Sequence, residues 1–191
     1  MNGWVYLFGR MLGFGTAGGV RPALTLAIIG AMDRLHIGPR VASPFLFLHH
    51  WVAIIVFFGL AILETKFDGI PAMAKARDQL LMPWRVAAGA VAAAATIGHG
   101  TTGLVAGLLV GAVAAWLGHT VRHGARPRQP SGGLAFTLVS LSEDLFAFVG
   151  ALTTGLYALL GYALFVVNTW LLAWLRLRRR HKYRVPRAQG E

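Results

Sequence analysis

Residues 11–32 read MLGFGTAGGVRPALTLAIIGAM. The stretch carries a single charge, Arg21, and matches the roughly 20 apolar residues that a helix needs to cross the hydrocarbon layer. Its centre does not suit an unbroken helix: Gly13, Gly15, Gly18 and Gly19 lead into Arg21 and Pro22. Glycine loosens a helix, and proline both removes a donor and crowds the preceding turn. The expectation is a spanning helix broken near Gly18–Pro22, with an arginine at mid-depth. There an unpaired arginine costs roughly 2.5 kcal/mol or more on insertion scales. Two readings follow. In one, the amides of Gly18 and Gly19, freed at the break, join Arg21 in a site for an anion or a counter-ion. In the other, Gly15 and Gly19 let helices pack closely and Arg21 pairs structurally.

Similar runs recur along the chain. Ser43-Pro44 reads as an N-cap followed by proline at the first helical position, opening a second run to about Phe67. Further runs cover Pro83 to Gly98, Leu104 to Thr120, Gly132 to Leu152 and Leu156 to Leu175, with tight turns expected at Gly98–Gly103 and Thr153–Gly155. Residues 68–82 mix charges with apolar side chains, as in an interfacial or re-entrant stretch. Of the 191 residues, 56% are hydrophobic and only 13% charged, too few polar groups to clothe a soluble surface. The ten residues before the first run hold one charge, Arg10, so a retained helix is expected there, not a cleaved leader. The fold class is an all-α integral membrane protein. It is expected to form a compact bundle of about six transmembrane helices over residues 1–175, with a basic tail over 176–191.

The formal net charge of +11 is unevenly placed. With six crossings, Lys75, Arg77, Arg122, Arg126, Arg128 and the tail from Arg176 to Arg187 share one side, against Arg34 and Arg40 on the other. Basic loops stay inside, which predicts a bacterial cytoplasmic (inner) membrane protein with both termini cytoplasmic. The tail would contact anionic lipid headgroups, not nucleic acid. Trp4, Tyr6, Trp84, Trp116 and Trp174 are expected as interfacial anchors, with Trp4 and Tyr6 near the inner face. The chain has no cysteine, which excludes disulfides, zinc–cysteine sites, iron–sulfur ligation and thiol catalysis. No phosphate-binding loop, nucleophile elbow, zinc-protease motif or kinase signature is present. Neither a catalytic role nor a cofactor is therefore expected.

The acids complete the candidate site. Ser140-Leu141-Ser142-Glu143-Asp144 puts two carboxylates in the middle of the fifth run. Neighbours on a helix lie about 100° apart, so one partner is expected to neutralise only one acid, the other keeping a proton or binding a cation. Arg21 and the pair fall at matching depth, so Arg21 is expected to contact at least one acid. Ser140 would hydrogen-bond within the site. Glu64 and Asp68 are four residues apart, on one helix face, and would form an inner gate or cation site, or else a solvated interface balanced by Lys66. His119 and His123 share that spacing, but no third ligand is evident and no metal is expected. Gly103, Gly107 and Gly111 form a small-residue stripe, suited to packing within the bundle or to a homo-oligomer.

At three of these places the chain resembles a bacterial membrane family known as domain of unknown function 4126. The similarities are Gly19-Val20-Arg21, Glu64 through Asp68-Gly69-Ile70-Pro71, and Ser140-Leu141-Ser142-Glu143-Asp144, within about residues 11–155. Gly69 stands where the family has lysine, and the family's Asn-Pro before the serine is absent. The resemblance implies a small polytopic membrane protein and no particular activity. The residues themselves suggest a permease or channel for an ion, a proton-coupled solute or an anionic headgroup. The competing class is a scaffold that assembles partners through its glycine faces.

Overall fold

The computed structural model describes residues 3–68, 80–98, 100–125 and 133–183. Most of the mixed stretch, His99, residues 126–132 of the basic loop and the tail beyond Tyr183 lie outside the described residues. The described residues form seven α-helices and no strand. They are α1 (Gly3–Val20), α2 (Pro22–Arg34), α3 (Trp51–Asp68), α4 (Met82–Ala95), α5 (Gly100–Ala125), α6 (Gly133–Leu156) and α7 (Leu160–Tyr183). A 3-10 turn, Leu46–His49, precedes α3. Three stretches, Gly100–Gly124, Thr137–Leu156 and Leu160–Arg178, are long and apolar enough to cross a membrane. Large apolar side chains such as Val52, Ile55, Leu109, Leu141 and Val166 point outward, each more than half exposed. A soluble monomer rarely shows such broad apolar patches, so these features suggest a membrane protein.

The expected break falls at one residue. Arg21 leaves the helical region at φ −138°, ψ 83°, and Pro22 opens α2. A proline disfavours the α conformation of the residue before it, so Pro22 ends α1 at Val20, and its missing N–H does no harm at a helix start. Neither the Arg21 amide nor its carbonyl is lost. The N–H donates to the Ala17 carbonyl and the carbonyl accepts from the Thr25 amide and hydroxyl.

The break does more than bend one spanning helix: α2 turns back beside α1. Met32 and Phe14 both approach Gly155, so the far end of α2 returns to the middle of α1. Other contacts fix the remaining directions. Gly18 meets Gly89, while Leu7 and Met11 share a cluster with Ala93 and Ile97, so α4 is antiparallel to α1. Gly15 meets Gly111 and Gly19 meets Ala115, so α5 runs parallel to α1. Arg21 meets Ser140 and Gly13 meets Thr154, so α6 is antiparallel to it. Leu164 against Gly150 sends α7 back alongside α6. Among the described residues the helices alternate through seven legs, and Gly3 and Tyr183 lie at opposite ends of the bundle. The expectation was six alternating crossings with both termini on one side. One apolar run in the sequence folds into two antiparallel helices. It follows that Trp4 and Tyr6 sit at the end opposite Trp84, Trp116 and Trp174.

Several boundaries differ from the sequence reading. Ser43-Pro44, joined by a cis peptide bond, lies in the turn before α3 and not at its start. His49 and His50 precede that helix as well, and His49 Nδ1 lies 2.7 Å from Asp33 Oδ2, tying the end of α2 to the 3-10 turn. Gly100 adopts φ +63° at the first position of α5, so the expected turn is shorter and Thr101 to Gly103 are helical. Thr153–Gly155 continue α6, and α5 extends to Ala125.

Glycine sets how closely these helices approach. A Cβ on Gly19 would overlap the Ala115 backbone, and one on Gly107 or Gly111 would press into Ala94 or Ala93. The glycine stripe of α5 is therefore packed inside the bundle against α4. Overpacking of this kind costs about 1–3 kcal/mol. Gly19→Ala is expected to lower the thermal unfolding temperature in detergent micelles. Gly59 lies mid-α3 with nothing within 4 Å of its Cβ direction, so Gly59→Ala should leave that temperature unchanged or raise it.

Candidate functional site

The break points a fully buried guanidinium at α6; Arg21 is 1% exposed. Arg21 Nη2 donates to the Ser140 carbonyl oxygen at 3.0 Å and to Ser140 Oγ. The same nitrogen lies 3.3 Å from Glu143 Oε2, while Nε lies 2.7 Å from Asp144 Oδ1. Positions 140, 143 and 144 are spaced i, i+3 and i+4, so they share one face of α6. The expected contact between Arg21 and the acid pair is present, and it includes both acids. The 100° between neighbouring carboxylates is bridged because a guanidinium presents five N–H donors in a planar fan.

Two further arginines join the arrangement. Arg122, at the last turns of α5, is 2% exposed and donates from Nε to Glu143 Oε2 at 2.8 Å. Arg85, near the start of α4, is fully buried and donates from Nη2 to Glu64 Oε1 at 3.0 Å. The Thr65 hydroxyl lies 3.0 Å from Asp144 Oδ2, which joins the two groups across α3. Arg21, Arg85 and Arg122 thus face Glu64, Glu143 and Asp144, and their formal charges cancel. A buried charge is tolerated when paired and hydrogen-bonded, and both acids of the α6 pair have an arginine partner. The expectation was that one partner would neutralise only one acid; Arg21 reaches both.

The members of the network differ in their distance from the helix ends. Glu64 is four residues from the end of α3, Arg85 three from the start of α4 and Arg122 three from the end of α5. At 1.5 Å per residue these groups lie about 5 Å from the helix ends. These three therefore sit toward the end of the bundle where α7 finishes, whereas Glu143 and Asp144 are ten and eleven residues beyond the start of α6. Asp144 is its most open member, at 23% exposed. The Asp68 side chain lies outside the described residues; Glu64, its expected partner in a gate, is engaged by Arg85. Gly18 and Gly19, expected to offer free amides, belong to the last turn of α1 and pack against Gly89 and Ala115. His119 and His123 stack with centroids 6.3 Å apart, and no metal-binding group of three ligands occurs among the described residues. A cavity of about 570 Å³ between α4 and α5, lined by Met82, Val86, Ala90, Ala112 and Trp116 among others, is apolar and separate from the charges.

The sequence alone counts Arg122 among the basic-loop residues and singles out no role in the site for Arg85. For Arg122 a signal existed. Gly107, Gly111, Ala115 and Gly118 follow one another at spacings of three or four, and the next position on that face is Arg122. A small-residue face marks where helices touch, so a charge continuing it is directed inward. No comparable spacing flags Arg85.

Removing one member of a buried pair strands its partner, at a cost of about 3–5 kcal/mol. Arg122→Ala and Arg21→Ala are both expected to destabilise the protein by amounts of that order. Glu143→Gln should recover part of the Arg122→Ala loss. Asp144→Asn should recover part of the Arg21→Ala loss but none of the Arg122→Ala loss. Unfolding of the four single and the paired variants in micelles checks this coupling pattern.

Comparison with curated proteins and with solved structures finds no match. The family described as domain of unknown function (DUF4126) matches residues 9–178, which include α2 to α6 and the whole charge network. The chain belongs to the DUF4126 family.

Proposed function

We propose that this protein is a multi-pass permease or channel of the bacterial inner membrane, with the Arg21–Glu143–Asp144 network as its gate. The supporting observation is a shared oxygen. Glu143 Oε2 is approached by both Arg21, at 3.3 Å, and Arg122, at 2.8 Å. Arg21 in turn divides itself between Glu143 and Asp144. A carboxylate with two cationic partners can pass from one to the other. A proton or cation arriving at Asp144, the open member, releases Arg21 toward Glu143. An anion arriving at the arginines releases the acids. A ligand shifts such an equilibrium only through its different affinity for the two arrangements, and both ligand types have that difference here. No catalytic step is involved.

The basic segments support an orientation. Lys66, Arg176 and Arg178 lie toward the end that holds the charge network, and the sequence between α3 and α4 and between α5 and α6 adds more. By the positive-inside tendency, that end and the tail are cytoplasmic and the start of α1 is external. Anionic headgroups would be drawn to the tail, each basic residue contributing about 1 kcal/mol. Reporter fusions before Gly3 and after Glu191 should report opposite sides of the membrane; the same side from both would overturn this topology.

The scaffold reading is favoured by a different observation, the near-complete burial and pairing of Arg21, Arg85 and Arg122. The two are separated by flux. Reconstituted in vesicles, the protein is expected to dissipate an imposed gradient of protons or of a small anion, and Asp144→Asn to change the rate without unfolding the bundle. A folded protein that is silent with both gradients would leave the scaffold.

A further inference from the structure

A second polar cluster lies at the far end of α2, away from Arg21. Asp33 and Arg34 close that helix, and His49 ends the 3-10 turn that precedes α3. His49 Nδ1 lies 2.7 Å from Asp33 Oδ2, and Arg34 Nη1 lies 3.0 Å from His49 Nε2. Asp33 is buried, the His49 side chain is 31% exposed and Arg34 is exposed. The three thus form a row from the interior of the bundle to its surface. The Arg34 guanidinium carbon also lies 5.7 Å from the centroid of the exposed Trp51 ring, within cation–π range. Asp33 is twelve residues from Arg21, about 18 Å along α2, so this cluster is distinct from the Arg21–Glu143–Asp144 network.

The row fixes the state of the ring. A guanidinium has donors and no acceptor, so Arg34 donates to His49 Nε2, which must carry a lone pair. The ring proton is then on Nδ1 and is donated to the Asp33 carboxylate. A second proton can be added only at Nε2, where it sets donor against donor and cation against cation. Arg34 must then turn aside, while Asp33 keeps the imidazolium. The charged and titratable groups around the ring are few. α2 and α3 pack against the turn. At this end α2 contributes Asp33 and Arg34, and the first titratable residue of α3 is Glu64, about 20 Å along that helix from Trp51. The His50 ring lies edge-on with its centroid 6.4 Å away, and the connection from α2 to the turn carries His36 and Arg40.

An anion resolves the displaced state. With the second proton in place, the His49 Nε2–H and the Arg34 guanidinium offer donors side by side at the surface. An oxygen set between them accepts from both, and such charge-assisted hydrogen bonds are the strong ones. Asp33 is already engaged, so one negative and two positive charges leave the cluster net positive. We infer that Asp33, His49 and Arg34 form a proton-dependent site for an oxyanion, a carboxylate, sulfate or phosphate group. In the neutral row Arg34 caps Nε2 and the site is closed; one proton opens it. Proton and anion then bind together, each raising the affinity for the other by the same factor. Binding here does not require the gate proposed at Arg21.

The test uses the full chain, with 15N-labelled histidine, in micelles of neutral detergent. It compares about pH 8 with about pH 5.5, across the range in which histidine ordinarily changes charge. Without sulfate at the higher pH, NMR is expected to show His49 as the Nδ1-protonated tautomer. Sulfate keeps its charge over this range, so a change in its affinity, read by calorimetry, reports on the protein. The affinity is expected to rise on acidification, at most about tenfold per pH unit for one proton taken up with each anion. The rise should vanish in His49→Gln and in Arg34→Gln and persist in His36→Gln and His50→Gln. A soluble phosphatidylglycerol that binds more tightly than sulfate with the same pH dependence assigns the oxyanion to a lipid headgroup; the reverse order assigns it to a free ion. An Nε2-protonated ring at pH 8, or a sulfate affinity that does not rise on acidification, overturns the inference, and neither reading needs a variant. A rise that survives His49→Gln overturns it too.

Discussion

A proline denies its predecessor the α-helical conformation, and here that predecessor is an arginine. Everything distinctive about the bundle depends on this coincidence. Because Arg21 cannot continue α1, the chain turns back as α2 and the arginine is left at the apex. Because the apex is buried, the guanidinium must be matched. Ser140, Glu143 and Asp144 on one face of α6 match it. Had residue 21 been apolar, the same break would have required no acids on α6, and Arg122 would have had no carboxylate to meet.

The glycines explain how the match is reached. Gly15, Gly18 and Gly19 bring α4 and α5 against the α1 backbone, closer than any side chain would allow. That proximity carries Arg85 and Arg122 inward at the ends of those helices. Close packing and charge pairing are therefore one device. The small-residue faces set the spacing, and the spacing removes water from the ions. In such surroundings a complete network is rigid and an incomplete one is costly.

Rigidity and function are compatible because the pairing is not one-to-one. Arg21 divides itself between two acids, and one oxygen of Glu143 serves two arginines. Such an arrangement has neighbouring states of similar composition. Thr16, Thr154 and Asn168, buried elsewhere in the bundle, differ in kind, since their polar atoms are not matched by the helices that carry them.

The sequence by itself determined the class of the fold and the kind of site. Apolar runs of membrane-crossing length, scarce charge and the Gly–Arg–Pro interruption are local properties, and local sterics and solvation decide them. The contact of Arg21 with Glu143 and Asp144 was legible because isolated charges in apolar surroundings must find one another. The tertiary structure decided the direction of the legs and which arginines join the network. Hydropathy counts apolar length but not turns, so a break within one run could not be told from a reversal. Arg85 and Arg122 looked like loop residues because they lie near helix ends, and only the packing of α4 and α5 against α1 turned them inward. Thr16, Thr154 and Asn168 carried no signal for the same reason: a polar residue in an apolar run is unmatched only once its neighbours in space are known.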